Sequence, residues 1–213
     1  MNIYQENTKI REDIIDGCGN WIWPKLDTGA WNGPSREWGE HHKPNVLKYV
    51  SNFTSVIQAG GNCGLYPRLY ANMFKWVYTF EPEPMNFYCL VQNTQVPNIF
   101  KFNCALGDMK RSVSLNCAGQ ENVGTFTITE DQGNMNIPMM RIDDLFYDKV
   151  GLIHLDVEGY EEKILHGAVE TIKEHRPVMM LECGRGTDIE RFISDLEYEY
   201  AGQSSSDAIW IPR

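Results

Sequence analysis

Three ionisable residues alternate inside one apolar run: His154, Asp156 and Glu158 in GLIHLDVEG, residues 151–159. Alternation puts them on one face of a strand for as long as the strand lasts. Ionisable side chains in such a run are costly unless paired or used. His154 or Asp156 has the chemistry to take a hydroxyl proton as a general base. Asp156 and Glu158 could instead hold a divalent cation, although a third clear ligand is lacking, or cap the helix that follows. No metal is expected.

A second group of residues has the pattern of a nucleoside site. Gln58-Ala59-Gly60-Gly61-Asn62-Cys63-Gly64 follows the apolar run SVIQA. Glycines there let a chain turn tightly and approach a ligand closely. Their spacing differs from the GxGxxG of dinucleotide sites. The next apolar run ends in Phe80-Glu81-Pro82. A carboxylate at that strand end accepts two hydrogen bonds from a ribose diol. Asn103-Cys104-Ala105-Leu106-Gly107-Asp108 ends a third run, at the edge where an adenine ring is clasped in this topology.

The elements that must position these residues alternate in period. From Ser55 onward, short apolar runs alternate with amphipathic segments, the pattern of βαβ units on a parallel sheet. Strands are predicted at 55–60, 76–84, 98–106, 151–159 and 178–183, and helices at 66–74, 85–93, 160–174 and 188–196, the last capped by Thr187. VSLNCA and TFTIT read as further strands, and IDDLF as a short helix. YEYAG and SSSDAIWIP read as a closing hairpin. A doubly wound, mainly parallel α/β sheet with a C-terminal antiparallel hairpin is the class I methyltransferase arrangement of the Rossmann-like folds.

VIQAGGNCGLY, YTFEPEP, FNCALGD, RIDDLF, LIHLDVEGYEEKILHGA and RPVMMLEC follow one another in this order. Over residues 30–213 the chain resembles the FkbM family of methyltransferases. The resemblance implies S-adenosylmethionine as cofactor and S-adenosylhomocysteine as product. It implies transfer to a hydroxyl of a sugar, glycolipid, polyketide or related small molecule. Gly60, Asn62 and Gly64 would line the methionine portion, Glu81 would hold the ribose and Ala105 would lie near the adenine. Gln58, Ala59, Pro82 and Asn103 flank these and are counted with the cofactor site. Asp156 and Glu158 would fall where cofactor and substrate meet. The chain departs from the family at two places. Gln58 stands where the family usually has Asp, which removes a charge attraction for the cofactor's ammonium. His154 stands where Lys is usual; either this favours a base role, because histidine titrates near neutrality, or it marks a different substrate.

Residues 1–50 are expected to form a cap or lid and residues 51–213 the methyltransferase domain. No inserted substrate domain is read in the core, so residues 20–44 are expected to cover the cofactor. Trp31, Trp38 and His41 are the candidate substrate contacts, because aromatic faces beside polar groups suit sugar rings. Sealing of the core or a dimer contact is the other use for these tryptophans. The composition carries 19 basic and 29 acidic residues, a net charge of −10. That argues against nucleic acid as a partner. The six cysteines form no CxxC pair and are expected to be reduced. With no apolar signal core and no span-length apolar stretch, neither a membrane partner nor export is expected, and the location is expected to be cytoplasmic. An N-methyltransferase and a non-catalytic S-adenosylmethionine-binding protein are the alternative readings.

Overall fold

The computed structural model describes residues 2–11, 20–27, 41–117, 122–129, 136–182 and 188–213. In chain order its strands are β1 (Thr8–Arg11), β2 (Trp21–Pro24), β3 (Ser55–Ala59), β4 (Trp76–Phe80), β5 (Ile99–Phe102), β6 (Ala105–Leu106), β7 (Arg111–Cys117), β8 (Phe126–Thr129), β9 (Ile137–Met140), β10 (Val150–Leu155), β11 (Val178–Leu181), β12 (Tyr198–Ser204) and β13 (Asp207–Pro212).

Side-chain parity builds the central sheet. Ile57, Ala59, Ile153, Leu155, Met179 and Leu181 pack into one apolar layer. Val56, Leu152, Val178 and Met180 pack into the other. Every residue of β3, β10 and β11 is buried, as in a sheet covered by helices on both faces. The strand order is β12-β13-β11-β10-β3-β4-β5. The last five pair in parallel, and β13 runs antiparallel to both β11 and β12. This is the doubly wound Rossmann-like sheet with a closing hairpin that the sequence predicts. The chain leaves β3 for β4 and β5, then returns to β10. The switch point therefore lies between β3 and β10, where open α/β sheets bind ligands. Among the described residues no helix is long and apolar enough to cross a membrane.

Three expectations are corrected. The strand read over 98–106 ends at Phe102, and Ala105–Leu106 joins a different, four-stranded sheet of order β6-β9-β7-β8. The core therefore does carry an insertion, spanning 105–140, where the sequence reading has none. The helix read over 160–174 is two helices, Glu161–His166 and Val169–His175. The break has a tertiary cause. The Asp143 N–H takes the Gly167 carbonyl at 3.0 Å, and the Asp143 carboxylate accepts from the N–H groups of Thr171 and Glu170 at 2.8 and 3.2 Å. The second helix is thus capped by a residue from a distant segment. Gly167 cannot be larger, because a Cβ there would lie 2.0 Å from the Gly107 carbonyl oxygen.

The N-terminal segment pairs β1 with β2 and docks on the helix Pro84–Asn93. The Asn93 amide acts as a substitute strand: it accepts from the Ile22 N–H at 2.7 Å and donates to the Ile22 carbonyl at 2.8 Å. Trp21 and Trp23 are buried against Cys63 and Cys89. Trp31, Trp38 and Thr187 lie outside the described residues.

Candidate functional site

Register places four residues side by side at the carboxyl edge of the sheet. β3, β4, β10 and β11 end at Ala59, Phe80, Leu155 and Leu181. Ala59 is level with both Phe80 and Leu155, and Leu155 is level with Leu181. The next residue of each strand is therefore Gly60, Glu81, Asp156 or Glu182. The ladder carries on through them: Gly60 N–H donates to Phe80 O, Asp156 N–H to Ala59 O and Glu182 N–H to Leu155 O, at 3.1, 3.2 and 3.0 Å. Gly60 must be glycine. Its φ is +81°, and a Cβ would sit 1.8 Å from the Asp156 carbonyl oxygen.

Above this edge opens a cavity of about 540 Å³, lined by Gly60, Asn62, Glu81, Asp156 and Glu182 among others, within the range of small-molecule sites. Its far wall is apolar, with Ala105 and Leu106 of β6 and Phe126 and Ile128 of β8. The inserted sheet thus supplies one side, and Trp23, Asp27 and His41 reach the cavity from the N-terminal segment. Glu81 is buried and accepts from the N–H groups of Asn62 and Glu83 at 2.7 and 2.8 Å. Burial nevertheless pushes its carboxyl up to about 7. Asp156 is raised well above the carboxylate range, first by burial and then by a hydrogen bond with Glu182. Burial raises Glu158 as well, with Glu182 adding to the effect.

The Methyltransferase FkbM domain model matches residues 59–200. The chain belongs to the FkbM methyltransferase family. No curated protein matches it. Among solved structures it is similar to the methyltransferase FkbM of Methylobacillus flagellatus KT, at 19% identity and a TM-score of 0.53, over 74% of this chain and 43% of that one. The chain therefore spans less than half of that relative's length. Trm5b of Pyrococcus abyssi is similar at 13% identity and a TM-score of 0.52, over 96% and 55% of the two chains. TYW2 of M. jannaschii, solved in complex with AdoMet, is similar at 13% identity and a TM-score of 0.50, over 97% and 87%. These likenesses show the class I methyltransferase fold.

The fold brings many of the sequence-predicted residues together and leaves others out. Ala59, Gly60, Asn62, Glu81, Pro82, Ala105, Asp156, Glu158 and His41 line the cavity. Gln58 does not. It lies on the parity of Val56, fully buried, with its amide donating to the Ala59 and Gly60 carbonyls at 3.0 and 2.9 Å and accepting from Thr79 Oγ1 at 2.6 Å. It props the glycine turn, so the loss of an acid there does not change the charge of the wall. Gly64, at φ +101°, opens the helix Leu65–Ala71, and the Asn103 amide donates to the Glu81 and Pro82 carbonyls at 2.8 and 3.2 Å; neither is in the wall.

His154 is corrected too. β10 ends at Leu155, so the alternation does not reach Glu158, which follows with φ +56°. His154 points to the opposite layer, fully buried, with its ring nitrogens 2.8 Å from the Tyr70 hydroxyl and 2.9 Å from Asp207. It does not line the cavity. Glu182, Tyr66 and Asn86 also line the cavity, beyond the residues to which the sequence motifs point. The strand-end rule that finds Glu81 after WVYTF also finds Glu182 after VMML.

The residues present fit S-adenosylmethionine. Asn62 Oδ1 and Asn86 Oδ1 are buried without a hydrogen-bond partner, and both residues line the cavity beside Glu81. Unpaired buried acceptors call for donors. The ammonium and ribose hydroxyls of the cofactor are donors, and the apolar wall suits its adenine.

Proposed function

We propose that the protein methylates a hydroxyl of a carbohydrate or related small molecule. Asp156 and Glu182, which follow neighbouring strand ends and both line the cavity, carry this reading. Glu81, Asn62 and Asn86 would hold the cofactor, which would supply an electrophilic methyl on a sulfonium. The acceptor's hydroxyl would donate a hydrogen bond to a carboxyl oxygen of Asp156 or Glu182, orienting an oxygen lone pair for in-line attack. As the carbon–oxygen bond formed and the methyl–sulfur bond broke, releasing S-adenosylhomocysteine, the hydroxyl proton would pass to that carboxyl oxygen. Proximity and this single proton acceptor are the protein's share of the catalysis.

Asp27, Glu81, Asp156, Glu158 and Glu182 line the wall, with no Lys or Arg among its described residues. An acceptor-rich wall matches a polyol, and it lacks the cations that a phosphate-bearing acceptor needs. The test is transfer of labelled methyl from S-adenosylmethionine to a panel of sugars, glycosides and polyols, with amines alongside. Product on a hydroxyl supports the proposal. Product on amines alone overturns it in favour of N-methylation. Cofactor binding without transfer to any acceptor favours a non-catalytic binding protein.

A further inference from the structure

His154 belongs to a second polar cluster, buried behind Tyr66, that the methyl-transfer site does not use. His42 precedes the helix Lys43–Tyr49, His154 lies in β10 and Asp207 opens β13. Their exposures are 1%, 0% and 3%. His154 Nε2 lies 2.9 Å and His42 Nε2 3.4 Å from the same oxygen, Asp207 Oδ2. One ligand atom from each of the three residues falls within 4.8 Å of the other two. The far nitrogens are held elsewhere, His154 Nδ1 by the Tyr70 hydroxyl at 2.8 Å and His42 Nδ1 by Ser204 Oγ at 2.9 Å. Both imidazoles therefore present Nε2 to one point.

We infer that His42, His154 and Asp207 bind a divalent transition-metal ion of the zinc type. A tetrahedral ion with bonds of about 2.0–2.1 Å spaces its ligand atoms about 3.3 Å apart, and the two separations from Asp207 Oδ2 bracket that value. Imidazoles oriented through their other nitrogen are the usual arrangement around a ligated metal. Two imidazoles and one carboxylate suit zinc, cobalt or nickel rather than calcium or magnesium. The Tyr66 hydroxyl, 3.2 Å from His42 Nε2, stands where a fourth ligand or its bridging water belongs. The ion ties the N-terminal segment to two core strands beside the cavity wall, so its first role is structural. Without an ion the same groups make a hydrogen-bonded chain, and experiment separates the two.

The full chain, stripped with chelator, is titrated with cobalt(II) and then zinc(II), followed by visible absorption, native mass spectrometry and thermal unfolding. The expected result is one ion per chain, a tetrahedral cobalt spectrum without thiolate charge transfer, and a raised unfolding midpoint. Ser204→Ala, which removes the hydroxyl that orients His42 and also donates to the His41 carbonyl, lowers affinity by about 10–100-fold, and His42→Asn by more. If Asp207→Asn fails to fold, His42→Asn decides, because His42 lies outside the sheet. No uptake of either ion overturns the inference. So does a thiolate band, or uptake unchanged in His42→Asn.

Discussion

Replacing Glu81 by Gln separates the cost of a buried charge from its use. Burial raises this carboxyl from 4.5 to about 7, although two backbone N–H groups and Asn86 pull it the other way. The unfolded chain holds the same group near its ordinary value. Between those two pH values the folded protein keeps a proton that the unfolded chain has released, so stability falls as pH rises through the window. At about 1.4 kcal/mol per pH unit, the full loss is ~3 kcal/mol. Gln does not ionise and escapes it. Its single carbonyl oxygen replaces two carboxylate oxygens, so the N–H of Asn62 or Glu83 loses its acceptor. That penalty, ~1–3 kcal/mol, does not change with pH. In urea unfolding Glu81→Gln is therefore expected to be less stable than the natural protein near about pH 5 and to gain ~3 kcal/mol on it by about pH 8. A difference between the two that stays within ~0.5 kcal/mol across that range refutes the desolvated carboxyl. Binding runs the other way. Ribose hydroxyls donate best to the ionised group, so affinity for S-adenosylmethionine in calorimetry rises with pH toward about 7 relative to the variant, which binds ~10–100-fold more weakly above it.

Gly60→Ala puts a Cβ into the Asp156 carbonyl at a φ of +81°; it is expected to destabilise the protein by ~2–3 kcal/mol and to weaken cofactor binding in calorimetry, and native-like affinity would contradict the tight turn. Asp156→Asn removes a carboxyl from the cavity wall; once an acceptor is identified, turnover is expected to fall by ~10²–10⁴-fold, and unchanged turnover removes Asp156 from the proton path. Asp143→Ala deletes the cap of the helix Val169–His175; thermal unfolding is expected to show a loss of ~1 kcal/mol, or about 2–4 °C, with cofactor affinity intact.

The sequence by itself determined the sheet and the residues at its carboxyl edge. Period-two runs of apolar residues fix which strands exist and which side chains face each layer, and these are local properties of the chain. Residues that follow such runs must sit at the carboxyl edge, which is why Gly60, Glu81 and Asp156 are legible and Glu182 follows from the same rule. Tertiary structure alone decided what no local pattern encodes. The split at Gly167 depends on a cap from Asp143, and the cavity's apolar wall depends on Ala105–Leu106 leaving the third strand for a second sheet. Gln58 and His154 look like site residues in sequence because they neighbour the strand ends. Their parity turns them away from the cavity, toward Thr79 and toward Tyr70 and Asp207. Which partner a buried polar side chain finds is set by elements far apart in the chain. His42 and Asp207 stand 165 positions apart (207 − 42) and meet only because β13 folds back beside β11.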